Sequence, residues 1–110
     1  MLFDYSQYSF YMCIEPIDMR SGARCLSQLV YTRLELDPFE KIVFIFTGKA
    51  RNNIKLLVWD GNGFWLHNKK LYKGTFCWPK DENEARKLVT EEDVIGMLNG
   101  QDRWRKLPIL

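Results

Sequence analysis

Apolar and polar positions alternate most clearly in the middle of the chain. Ile54-Lys55-Leu56-Leu57-Val58-Trp59 and Phe64-Trp65-Leu66-His67-Asn68-Lys69-Lys70-Leu71 flank the tetrapeptide Asp60-Gly61-Asn62-Gly63. Gly and Asn tolerate the positive φ that tight hairpin turns require. The pattern therefore predicts two antiparallel strands joined by a structural turn at Asp60, Gly61, Asn62 and Gly63. Side chains alternate across a strand. Ile54, Leu56 and Val58 share one face, and Lys55, Leu57 and Trp59 the other. Beyond the turn, Phe64 and Leu66 lie opposite Trp65, His67 and Lys69. Both faces are too apolar to stand in water, so the hairpin needs covering.

The flanking pattern supplies the cover. Phe10-Tyr11-Met12-Cys13-Ile14 is a short strand before Glu15-Pro16. From Ala23 the apolar residues Leu26, Leu29, Val30 and Leu34 fall at helical spacing, with Ser21 as N-cap and a stop before Asp37-Pro38. Lys41-Ile42-Val43-Phe44-Ile45-Phe46 has the composition of a buried central strand. Thr75-Phe76-Cys77-Trp78 reads as a further strand, and Lys87-Leu88-Val89 as a short edge strand. Thr90-Glu91-Glu92-Asp93 is a capping-box pattern that opens a second helix, with Val94, Ile95 and Leu98 inward and Asn99-Gly100 as its stop.

The order is β-α-β-β-β-β-α. It predicts an α+β fold: a small antiparallel sheet of four to five strands, a helix after the first strand and a C-terminal helix. At 110 residues, the expectation is one domain over 1–110, with 1–9 and 103–110 loosely ordered. No apolar run reaches the roughly 18–20 residues of a membrane helix, and the N-terminus lacks a basic leader region. A cytoplasmic location is expected.

Charge changes the picture. The net charge is only +2, but residues 47–79 carry Lys49, Arg51, Lys55, Lys69, Lys70 and Lys73 against Asp60 alone. Such a block points to an anionic partner. Lysines also guard sheet edges against sticking, which is the alternative reading. Trp59, Trp65 and Tyr72 lie among these bases and could stack on bases of DNA, although Trp59 and Trp78 fit a core better.

Candidate chemistry is sparse. Cys13, Cys25 and Cys77 are scattered, and His67 is the one histidine, so no metal site and no cofactor are expected. The thiols suit a reducing compartment and read as buried apolar groups. A metal-dependent nuclease would need clustered carboxylates. Asp18 and Asp60, with Lys55 assisting, are the only attractive candidates, and both acids fit turn roles better. The chain is therefore read as having no catalytic residues. Asp18-Met19-Arg20 precedes a helix. There Arg20 either holds a phosphate or forms a clamp with Asp18.

Several short motifs in order carry a resemblance. They are Asp18-Met19-Arg20-x-Gly22, Leu36-Asp37-Pro38-Phe39, Phe44-Ile45-Phe46, Ile54-Lys55-x-Leu57-x-Trp59-Asp60-Gly61-x-Gly63-Phe64 and Lys69-Lys70-Leu71-x-x-Gly74-x-Phe76-x-Trp78-Pro79. The match they carry runs from about Ile14 to Asp102. The chain resembles the small TnpB-type accessory proteins of the insertion sequence 66 transposon family, which are distinct from the long RNA-guided nucleases of the same name. The resemblance implies a helper that assists the transposase of the same element. Two mechanisms follow. In the first, the protein binds DNA through Arg20, Lys49, Arg51, Lys55, Lys69, Lys70 and Lys73, or binds the transposase. In the second, it is a protein–protein scaffold or homodimerisation module without nucleic-acid contact.

Overall fold

The computed structural model describes residues 4–80 and 83–104. Apolar tail residues Leu107, Ile109 and Leu110, and the bases Arg105 and Lys106, lie outside the described residues. The elements are β1 (Ser9–Cys13), α1 (Ala23–Thr32), β2 (Ile42–Thr47), β3 (Asn53–Trp59), β4 (Phe64–Lys70), β5 (Arg86–Val89) and α2 (Glu91–Leu98). This is the α+β order expected from the pattern. The strands form a single sheet in the order β4-β3-β2-β1-β5.

The sheet is mixed where an antiparallel one was expected. β1 and β2 run parallel, with Phe10 opposite Val43 and Met12 opposite Ile45. The other three pairings are antiparallel. The cause is the connection. Parallel neighbours need a long crossover, and the chain from Ile14 to Lys41 with α1 inside it provides one. Thr75–Trp78, expected as a strand, makes no ladder. Its apolar residues still reach the interior: Phe76 and Trp78 are buried, and the Trp78 indole N–H donates to the Cys13 carbonyl at 3.1 Å. Composition marked the burial correctly and the hydrogen bonding wrongly. The fifth strand is instead Arg86–Val89, paired with β1.

The sheet is covered on both faces. On one, Phe10, Met12, Val43, Ile45, Ile54, Leu56 and Val58 pack with Phe76, Trp78, Val94 and Met97. On the other, Phe44, Phe46 and Leu57 pack against Leu26, Val30 and Leu34. α2 begins with the expected capping box, Asp93 N–H to Thr90 Oγ1 at 3.1 Å and Thr90 N–H to Asp93 Oδ2 at 3.4 Å. Its inward residues are Val94 and Met97, while Ile95 points outward at 51% exposure. Leu98 is partly buried against the same core, so Val94 and Leu98 face inward as expected and Met97 takes the place expected of Ile95, at i+3 from Val94.

α1 is shorter than its apolar spacing predicted. Its N-cap is Gly22 rather than Ser21, and no side chain caps it. After Thr32 the helix unwinds through Glu35, whose φ of 55° is left-handed. Leu34 stays buried beyond the helix end. Cys13 is buried, but Cys25 is exposed on α1 and Cys77 is half-buried, against the expectation of three buried thiols. Cys25 falls on the solvent side of the helical repeat, one residue before Leu26. Among the described residues no helix is long and apolar enough to cross a membrane.

Leu26 is fully buried in α1, whereas Tyr31 on the same helix is 71% exposed. Leu26→Ala is expected to lower stability by about 2–5 kcal/mol, and Tyr31→Ala by less than about 0.5 kcal/mol, in urea unfolding. Equal effects would contradict the orientation of this helix.

Candidate functional site

Strand register decides which bases meet. The ends of β1 and β2, the start of β3 and the end of β4 all lie at one end of the sheet: Thr47 is opposite Ile54, and Asn53 is opposite Lys70. The 14–22 connection leaves β1 there. The Gly48–Asn52 turn leaves β2 there. An open cleft of about 590 Å³ lies between them, lined by Asp18, Arg20, Lys49, Asn52, Asn53 and Lys70, among others. Residues distant in sequence thus share one basic end.

The cleft wall is built from the 18–22 turn. The Asp18 carboxylate accepts from the Arg20 backbone N–H at 2.9 Å, from Nε at 3.1 Å and from Nη2 at 2.7 Å. The Asp18–Arg20 clamp is therefore formed. These Arg20 hydrogen bonds hold the Asp18 carboxyl down at about 2. The Arg20 side chain nevertheless stays 91% exposed, so its outer N–H groups face solvent. The first turn of α1 carries no acid.

Lys55 is the residue most displaced from its expected role. It was expected among the anion-binding bases of the hairpin, but it is buried at 9% exposure. Its ammonium donates to the carbonyls of Met19 at 2.7 Å and Ser21 at 2.8 Å. Strand alternation already put Lys55 on the Leu57 face, and that face is the one α1 covers. The opposite wall presses on the same turn. A Cβ at Gly48 would stand 2.5 Å from Met19 Cγ, so any larger residue there would push the Met19 side chain aside. Asn53 sits at the cleft floor, and its Oδ1 is buried with no hydrogen-bond partner among the described residues.

The other candidate bases divide. Lys49 and Lys70 are exposed on the cleft, and Lys73 is exposed just beyond β4. Arg51 is half-buried in the adjoining turn, with a left-handed φ of 56°. Lys69 is on the opposite sheet face from Lys70. Its ammonium donates to the Leu98 carbonyl at 2.7 Å, which caps the end of α2.

Asp60 lies at the far end of β3 from Asp18. It accepts from the Trp65 indole N–H at 2.8 Å and closes the hairpin with Gly61, whose φ is 110°. The two carboxylates are thus a strand length apart. No group of three or more metal-capable side chains occurs among the described residues. Burial raises the Cys13 thiol to about 11, which suits a core group rather than a nucleophile.

Sequence reasoning missed two features. Tyr5 is buried, and its hydroxyl lies 2.9 Å from His67 Nε2, tying the N-terminal segment to β4. Burial lowers the pKa of His67. Near the hairpin turn, Phe39 packs edge-on to Trp59 at 4.9 Å and against Phe64 at 5.7 Å. Phe39 also borders an open groove of about 1200 Å³, lined by Leu29, Tyr31, Glu35, Leu36 and Asp37 among others. Leu36-Asp37-Pro38-Phe39 was legible as a motif, but nothing in its spacing reveals a groove.

A family model described as IS66 Orf2 like protein matches residues 8–107. The chain belongs to this family and is thereby a transposition-associated accessory protein. It is similar to the uncharacterized protein y4hO of Sinorhizobium fredii (strain NBRC 101917 / NGR234), at 34% identity over 80% of this chain and 75% of the relative. It is also similar to the uncharacterized protein y4jC of the same organism, at 33% identity over 71% of this chain and 67% of the relative. No solved structure matches.

Two measurements check the site's supports. Lys55→Met removes two charge-assisted hydrogen bonds and is expected to cost about 1.5–3 kcal/mol in chemical unfolding. A loss below about 0.5 kcal/mol would mean that the ammonium does not hold the turn. His67 has a depressed folded-state pKa, so the unfolded chain binds its proton first as pH falls. Stability is expected to be full above pH 6.5 and to decline as pH falls through 6.5 towards the lower folded-state value. His67→Gln should remove that part of the decline. An unchanged pH profile of unfolding would assign it to other groups.

Proposed function

We propose that the protein is a non-catalytic helper of its element's transposase that acts by holding a nucleic-acid backbone at its basic end. The observation that carries this reading is the convergence of Arg20, Lys49 and Lys70 on one cleft, from three separate stretches of chain. Arg51 and Lys73 adjoin it. Lys55 supports the cleft from beneath, and Lys69 supports α2, so both contribute structure to this surface rather than contacts. Lysine and arginine neutralise phosphates and give affinity without reading sequence. The cytoplasm, where an element's DNA and its transposase meet, is the location this reading requires.

A second reading is favoured by a specific observation. The groove beside α1 exposes Tyr31 at 71% and Phe39 at 57% at the other end of the hairpin from the cleft. Exposed aromatics with Glu35 and Asp37 suit a protein partner: the transposase or a second copy of this chain. The two readings are compatible, since the surfaces do not overlap.

Fluorescence anisotropy over a salt series tests the first reading. Four exposed bases meeting duplex phosphates give a slope of about −3.6 in log affinity against log salt, from about −0.9 per contact. The Lys49→Glu, Lys70→Glu double variant is expected to weaken DNA binding at least tenfold while leaving co-purification with the transposase intact. DNA binding equal to the parent's would remove the basic end from the function. Loss of transposase co-purification in Tyr31→Ser, Phe39→Ser, with DNA binding kept, would support the second reading.

A further inference from the structure

We infer that the basic end takes an unpaired nucleic-acid strand in preference to a duplex, with Tyr72 as the platform on which a base stacks. The inference rests on the phosphate-binding reading of the same end and goes beyond it by naming the form of the ligand.

Three observations carry it. Tyr72 is the most exposed large hydrophobic residue described, at 104% of its reference surface. A tyrosine ring serves no packing purpose there. The backbone that presents the ring is fixed to the basic end. The segment that carries it is anchored on both sides to the turn bearing Lys49 and Arg51: Leu71 N–H donates to the Asn52 carbonyl at 2.8 Å, and Phe76 N–H donates to the Arg51 carbonyl at 2.6 Å. Gly74, with φ 85°, lets the chain fold back between these anchors. Lys73 follows the ring directly, and Lys70 precedes it by two positions, on the edge of the cleft.

Chemistry separates the two forms of ligand. A duplex presents a rail of phosphates with its bases already paired and stacked, so an exposed ring beside the rail gains little. An unpaired strand offers base faces between its phosphates, and an aromatic ring among lysines meets both at once. The cleft agrees in size. At about 590 Å³ it falls within the roughly 300–1,000 Å³ of small-molecule sites, enough for a single nucleotide.

The test is anisotropy at low salt with a fluorescein-labelled 15-nucleotide oligothymidylate, the matching oligouridylate and a 15-base-pair DNA duplex. The parent is expected to bind at least one single strand at least tenfold more tightly than the duplex. Tyr72→Ala should weaken single-strand binding by about fivefold to hundredfold and leave duplex binding within twofold. Tyr72→Trp should retain it. Because the ring is fully exposed, thermal unfolding of both variants should match the parent. Equal or tighter duplex binding overturns the inference while leaving the phosphate-binding reading intact, as does single-strand binding indifferent to Tyr72→Ala. No binding to any of the three probes overturns both.

Discussion

One buried ammonium organises the molecule. Lys55 reaches out of β3 to the carbonyls of Met19 and Ser21 and fixes the turn between β1 and α1 to the sheet. A lysine is costly to bury unless its charge is met by hydrogen bonds. Here two carbonyls at the uncapped start of α1 meet it, so charge and turn satisfy one another. Gly48 clears the space into which Met19 folds. With that turn held, Arg20 stands at the cleft edge and α1 is launched across the sheet. Its far end is tied by the Arg33–Glu15 ion pair and by Arg86, which donates to the Leu34 carbonyl at 2.8 Å.

The architecture was legible where pattern and burial coincide. The hairpin, its Asp60-Gly61-Asn62-Gly63 turn, the central strand β2 and the Thr90 capping box follow from local rules about period, positive φ and orphan backbone donors. What was not legible depends on partners far away in sequence. The parallel β1–β2 pair is set by a crossover, which residue alternation cannot encode. Phe76 and Trp78 look like strand residues because burial and strand formation favour the same side chains. The basic block was visible as composition. Its division was not, since Lys55, Lys69 and Lys70 lie close in sequence yet serve the core, the end of α2 and the cleft. Only register tells these roles apart. The family resemblance, by contrast, was readable from ordered motifs alone and agrees with the match over residues 8–107.

The two ends of the hairpin differ in kind. One gathers cations around a cleft with a clamped aspartate at its wall. The other gathers Phe39, Trp59 and Phe64 beside Glu35 and Asp37. Under the proposed function, a helper that meets both an anionic polymer and a protein is well served by such separation. Neither surface competes for area with the other, and their lining residues do not overlap.

The position of β1 has a consequence for how the chain assembles. It is made early in synthesis, yet it is flanked in the sheet by β2 and β5, so its partners lie roughly 30 and 75 residues further along. Such non-local pairings carry a loop-closure cost and slow folding. The β3–β4 hairpin has no such delay, because its strands are neighbours. The exposed edge of β4 ends in Lys69 and Lys70, and charged edges resist pairing with foreign strands. During the interval in which β1 waits for β5, the two lysines, one capping α2 and one on the cleft, also keep the free edge of the hairpin charged.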